Sequence, residues 1–398
     1  MALGNADLVA VILSKTFGRD AARAACVNRC FLSAWRVVTR PPRGRAPDGS
    51  FFEPELFSVT VRPGQDLQSA LDACPEGGTL LLEAGEHSVT ETVFTKKAAF
   101  VFGRGKARLS GVDCLRSMLS VELDGHVYVE GVTFCEGSVG VEVGFRSELG
   151  LAPTLVLRRC AFERQHLTSV LARTGSHLAV HECSIQGGRV QSRWVGGIEV
   201  DNAASALVDR TRINDCFVGV EARGCRALTV SACKIVDCAK GVATNECHGI
   251  ALVHNVLEAI SDVGIEVNLS PFSVISKNTL IRCFMYAINV ASRSHSANVK
   301  DNVVDGVKFI GIRVSFSDAA SVSRNVVKNA TCASAYNALT GVSLYNACDA
   351  EIVENTITKL EHAVEVMSSV RVRVARNRAS ETTAEWLLNT ASREVTLS

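Results

Sequence analysis

Apolar and polar residues alternate in short runs along this chain, and the runs return at a nearly constant interval. Aligned on an apolar-x-apolar-x-x-(Asn/Cys) pattern, they end at Cys160, Cys183, Thr211, Cys233, Asn255, Asn278, Asn302, Asn325, Asn355 and Asn377. Successive members lie 22–24 residues apart except for two steps of 28 and 30, which place insertions near Gln186–Trp194 and Thr331–Leu339. A second column keeps the same step: Gly-Ile-Glu-Val at 197, Gly-Val-Glu-Ala at 219, Gly-Val-Ala-Thr at 241, Gly-Ile-Glu-Val at 264, Ala-Ile-Asn-Val at 287, Gly-Ile-Arg-Val at 311, Gly-Val-Ser-Leu at 341 and Ala-Val-Glu-Val at 363. Alternate residues in each are apolar, as a strand with one buried face requires, and Gly or Ala precedes the strand where the chain bends closely.

A coil of this length cannot bury its apolar face alone, whereas stacked coils bury one continuous core. The two columns therefore predict a mainly β protein, a single-stranded right-handed parallel β-helix with a small helical N-terminal segment. The repeat is clear from near residue 127 to the C-terminus, and roughly ten coils at about 4.8 Å would make a rod on the order of 50 Å long. Stacked side-chain amides explain the Asn column, bonding along the axis from coil to coil. Cys160, Cys183 and Cys233 replace them as small buried hydrophobes.

Upstream, Leu67, Ala70, Leu71 and Cys74 fall at i, i+3, i+4 and i+7 and predict a capping helix near 66–74. It is followed by Gly77-Gly78-Thr79-Leu80-Leu81-Leu82 and Glu83-Ala84-Gly85-Glu86-His87, a strand and turn. This opening resembles that of pectate-lyase-like β-helix proteins, with His87 where an aromatic is usual. The boundaries read as a helical segment over 1–40, a Pro/Gly/Arg-rich linker over 41–58, and the β-helix over 59–398.

Composition narrows the class. The chain of 398 residues is 47% hydrophobic but only 6% aromatic, so the core is filled by small and β-branched side chains. The first fifty residues carry eight basic and three acidic groups, a net +5 that leaves −4 for the remainder of a chain whose total is +1. No basic stripe follows, which argues against nucleic-acid binding. No apolar run reaches the length of a membrane span, and the 15 cysteines follow no paired spacing. The expected address is intracellular and cytoplasmic, a mitochondrial one being the alternative.

In the first 36 residues, Leu8, Val11, Ile12, Phe17, Ala24, Val27, Phe31 and Trp35 recur at helical spacings broken near Gly18-Arg19-Asp20. Val11-Ile12-Leu13, Gly18-Arg19-Asp20 and Cys26-Val27-Asn28-Arg29-Cys30-Phe31 together resemble an F-box. Joined to the β-helix, they resemble the F-box-only proteins with carbohydrate-binding-and-sugar-hydrolase (CASH) repeats. That resemblance implies a substrate receptor of an SCF-type ubiquitin ligase. Ile12, Leu13, Phe17, Val27, Phe31 and Trp35 would then meet an Skp1-like adaptor, and the β-helix flank a protein substrate. A plain helical cap on the β-helix is the other reading of the segment.

Function is accordingly expected to be that of a non-catalytic protein-interaction scaffold, with a structural or accessory subunit of a large intracellular assembly as the alternative. No catalytic residue, cofactor or metal site is assigned. His177, His181 and Cys183 lie close in sequence, but both histidines are expected to point outward while Cys183 turns in. A polysaccharide lyase or hydrolase is the competing class, since Glu142, Glu199, Glu221, Glu266 and Glu365 share one outward column. Glu199 and Glu221, on adjacent coils, are spaced for a retaining carboxylate pair. Thr244, Asn289, Arg313 and Ser343 in the same column point instead to a solvated face, and few aromatics look exposed enough to stack on sugar rings.

Overall fold

Each coil of the chain lays down three short strands, one for each of a first, second and third sheet, as Thr154–Arg158, Ala161–Glu163 and Thr168–Ala172 do in one coil, and each strand pairs in parallel with its equivalents in neighbouring coils. The computed structural model behind this description covers residues 59–111, 117–122, 125–145, 152–190, 193–329, 339–384 and 387–397. Two sheets have 13 strands and one has 15, because the first sheet gains an extra strand at each end (Val59–Val61 and Arg393–Leu397). The result is a right-handed solenoid of about thirteen coils, three more than the columns alone implied, and about 60 Å long at the usual strand spacing. The additional coils lie before residue 127, where irregular loops hide the period.

The core is a single stack of Val, Ile, Leu and Ala, broken by Phe134 and Phe162, whose rings lie 5.0 Å apart and within 6° of parallel. The short helix Leu67–Ala73 covers its N-terminal end through Leu67 and Leu71, and the Asp66 carboxylate caps it by accepting the Ser69 amide. It is the single helix among the described residues, so the helical N-terminal part is smaller there than expected.

The corner between the first and second sheets carries the Asn column. Asn278 Nδ2 donates to Asn302 Oδ1 at 3.0 Å and Asn302 Nδ2 to Asn325 Oδ1 at 2.9 Å, each oxygen also accepting the preceding coil's backbone N–H. The residue before each column member, such as Lys277, Asp301 and Arg324, has positive φ. Asn255, Asn278, Asn302, Asn325 and Asn355 are all buried. Serine hydroxyls make a second ladder between the third and first sheets: Cys247 N donates to Ser270 Oγ, Ser270 N to Ser294 Oγ and Ser294 N to Ser317 Oγ, at 3.0–3.1 Å. The corner between the second and third sheets is lined instead by Cys216, Cys238, Cys283 and Val307, all buried. Burial pushes the Cys225, Cys233 and Cys283 thiols up to about 12, which makes them inert packing groups.

Near the start of the third-sheet strands Gly219 leaves no room for a side chain, although Ala287 and Ala363 fill the same place in other coils. A Cβ on Gly219 would stand 2.7 Å from the Gly241 carbonyl oxygen and 2.8 Å from Ile235 Cγ2, too close for either to yield cheaply. The first insertion becomes an antiparallel hairpin, Arg189–Val190 with Arg193–Trp194, opening between the second and third sheets. Thr331–Leu339 falls between strands of the same two sheets, and 330–338 lies outside the described residues.

The Asn302→Ala variant should lose roughly 2–5 kcal/mol, because the Asn278 amide and the Ile275 carbonyl would be left buried without partners. Asn377, half-buried at the end of the ladder, should cost less. Urea denaturation midpoints of the two variants test the order.

Candidate carboxylate site on the third sheet

The third sheet presents its outward residues in columns whose register is fixed by the parallel pairing. One column runs Glu142, Leu171, Glu199, Glu221, Ala243, Glu266, Asn289, Arg313, Ser343 and Glu365. Thr244 is therefore corrected out of it: Ala243 holds the outward place, while Thr244 is buried facing inward, opposite Val267. Glu142 also departs from expectation. It is buried at 1% exposure and ion-paired with Arg173, so it serves packing rather than solvent.

Glu199 and Glu221 are direct cross-strand partners, about 4.8 Å apart at the backbone. They differ in surroundings. Arg223, two residues on, donates to Glu221 Oε1 at 2.5 Å and so matches its charge. Glu199 has no ion pair among the described residues. Its own burial, and next the neighbouring Glu221 charge, raise its pKa above the ordinary glutamate value. The column thus sets a protonation-prone carboxyl beside an anchored carboxylate.

The pair opens into a recess of about 150 Å³ lined by Leu167, Gly196, Ile198, Phe217 and Val218 as well as the two glutamates. Leu167 and Phe217 keep 52% and 47% of their surface exposed and set two apolar faces beside the glutamates. They belong to a ridge along the edge of the sheet, at the residue before each third-sheet strand. Met285 and Phe309 continue it further along, linked by backbone bonds from Met285 N to Asp262 O and from Thr340 N to Phe309 O. The expectation of few exposed aromatics was wrong for this edge. The position lies two residues before the Gly/Ala of the second column and holds Ala239, Asp262 and Glu361 as well as Phe217, Met285, Phe309 and Leu339, so the repeat does not mark it.

Of the other predicted residues, Glu266 is ion-paired with Lys240 at 2.6 Å and lies three strands from Glu199 along the column. His177 and His181 are half-buried; His181 Nδ1 sits 3.0 Å from Asp209 Oδ2 and His177 Nδ1 2.7 Å from Ser205 Oγ. Among the described residues, no three His, Cys, Asp or Glu side chains converge as a metal would need. No described helix is long and apolar enough to cross a membrane. Ile12, Leu13, Phe17, Val27, Phe31 and Trp35 lie outside the described residues.

A raised carboxyl pKa has a signed effect on stability. Between the ordinary glutamate pKa and the raised one, the folded chain binds more protons than the unfolded chain at Glu199, so its contribution falls as pH rises through that window. Glu199→Gln should therefore gain stability relative to the parent at pH 7 compared with pH 4. A pH series of thermal midpoints that leaves the difference flat would contradict the assignment.

The fold is shared with proteins of several kinds. The chain is similar to PfbA, a surface adhesin of Streptococcus pneumoniae, at 12% identity and a TM-score of 0.54, covering 83% of this chain and 90% of that one. It is similar to tailspike protein 3 of bacteriophage CBA120 at 11% identity and a TM-score of 0.53, over 94% and 68%. A PL6 alginate lyase in complex with a trisaccharide matches at 10% identity and a TM-score of 0.48, over 87% and 88%. No curated protein matches the sequence. The expectation of a non-catalytic scaffold or accessory subunit with no enzymatic role is set aside, because the fold is shared with an adhesin and a tailspike and does not assign that role. At 10–12% identity these likenesses carry the fold alone, and the chemistry must come from the side chains. The model of the right-handed beta helix region matches residues 117–280 and 168–327, more than half of the chain, and the chain belongs to that family.

Proposed function

We propose that the protein is a glycan-processing enzyme, a glycoside hydrolase whose acid is Glu199 and whose second carboxylate is Glu221. The observation that carries this reading is the in-register pair with unequal environments at the floor of an open recess. Glycosidic cleavage needs one carboxyl that keeps its proton and one that stays ionised. Glu199, half-buried and beside a like charge, suits the proton donor to the leaving oxygen. Glu221, held by Arg223, suits the carboxylate that meets the anomeric carbon.

Their backbone separation of one strand spacing suits the retaining course, in which the two carboxyl groups stand about 5 Å apart and no water fits between them. The exposed faces of Leu167 and Phe217 offer apolar walls to the C–H face of a pyranose ring. Charge selects the substrate class. Glu221 is matched by Arg223, Glu199 serves as the protonated acid, and no Lys or Arg among the described residues lines the recess. A recess without a cation offers nothing to a uronate at the cleavage point and favours a neutral sugar there.

The test is a panel of neutral and acidic oligosaccharides incubated with the full chain and with Glu199→Gln and Glu221→Gln. Cleavage of a neutral linkage should fall by about 10²–10⁴-fold in each variant. Cleavage that persists in both, or that requires a uronate at the broken bond, would sink the reading.

A further inference from the structure

Further along the same face, a second group of side chains has the opposite charge. Arg313 Nη1 donates to the Tyr286 hydroxyl at 3.0 Å, and its guanidinium lies 5.3 Å from the centre of that ring. Lys308 Nζ stands 4.4 Å over the Phe284 ring, which itself tilts against Phe309 with centroids 6.1 Å apart. Among the described residues neither Lys308 nor Arg313 has a carboxylate partner. Phe284 and Met285 remain exposed on the edge that also carries Phe217. Between Glu266 and Arg313 in the outward column lies Asn289, 8% exposed, whose Oδ1 is buried with no hydrogen-bond partner. Such an oxygen is costly to leave unpaired and calls for a donor.

Arg313 is four strands beyond Glu221 in the same column, about 19 Å away, and Asn289 three, about 14 Å. A single extended glycan lying along the column therefore reaches both groups. We propose that Phe284, Tyr286, Asn289, Lys308 and Arg313 form a distal subsite for an acidic sugar unit, a few residues from the linkage held at Glu199 and Glu221. The proposal rests on the reading of this face as a glycan site. Charge complementarity sets the occupant: the two cations take a carboxylate that the cation-free recess does not hold, and Tyr286 offers a face to the ring. A sugar hydroxyl satisfies the Asn289 oxygen. The fitting substrate is then a mainly neutral glycan carrying sparse uronate units.

Binding separates this proposal from catalysis. Calorimetry on the full chain bearing both Glu199→Gln and Glu221→Gln would compare xylopentaose with a xylopentaose carrying one glucuronate branch. The branched sugar should bind at least about tenfold more tightly, and adding K308A and R313A should remove that preference while leaving the affinity for xylopentaose unchanged. That unchanged affinity also shows that the variant is folded. Equal binding of the two sugars by the parent, or a preference that survives the two substitutions, overturns the subsite without touching the carboxylate pair. Binding of neither sugar overturns both readings. Equally tight binding of a hexaglutamate peptide assigns the patch to a protein partner and overturns the subsite as well.

Discussion

Hydrogen bonds that run along the axis at two corners of the coil set the register on which everything else in this molecule depends. Turning from the first sheet to the second forces one residue per coil into the left-handed region, at Glu182, Arg210, Ala232, His254, Lys277, Asp301, Arg324, Glu354 and Arg376. A non-glycine residue there costs on the order of 1–2 kcal/mol. The turn persists because these residues from Glu182 to Glu354 still donate their amides to the next coil, as Asp301 N does to Ser323 O at 3.1 Å, and because an Asn that follows, such as Asn302, satisfies the buried groups around it. A shift of one residue would break the amide ladder, the serine ladder and the apolar stack together, so the alternation of inward and outward residues on the third sheet is held tightly. The placing of Glu199 beside Glu221 is a by-product of that lock.

The repeat and the Asn column were legible in the sequence because they recur, and recurrence is what stacking requires. Asn302 could be read as a ladder residue from spacing alone. The serine ladder through Ser270, Ser294 and Ser317 was not, since serine is common at any turn and no apolar pattern singles these residues out. Glu142 looked like its neighbours at 199 and 221. Its burial depends on Arg173, which lies one coil on, in the column that continues through Asp201 to Arg223, and no spacing in the repeat marks that cross-coil pair. Thr244 was misplaced by one residue, and a single position exchanges the two faces of a strand.

The aromatic edge was missed for a related reason. Phe217, Met285 and Phe309 occupy a corner position that also holds Ala239 and Asp262, so no periodic apolar signal marks them. Their exposure is a fact of three dimensions. What is shared along the face is geometry rather than residue type: the same outward column changes from acidic at Glu199 and Glu221 to basic at Arg313 while the backbone beneath it stays constant. A regular scaffold can thus carry a gradient of charge that no single coil reveals.

The corner between the second and third sheets differs from the other two in lacking a polar ladder, being packed by Cys216, Cys238, Cys283 and Val307. Both long steps of the repeat open there, one as the hairpin of Arg189–Val190 and Arg193–Trp194. In the coils beyond Thr154 two edges of the rod are therefore keyed and the third takes the changes in length, and that edge borders the recess at Leu167 and Phe217. Such a molecule can acquire or discard loops beside its outward column without disturbing the frame that positions it. It is built like a comb, with a rigid spine and teeth that can be lengthened one at a time.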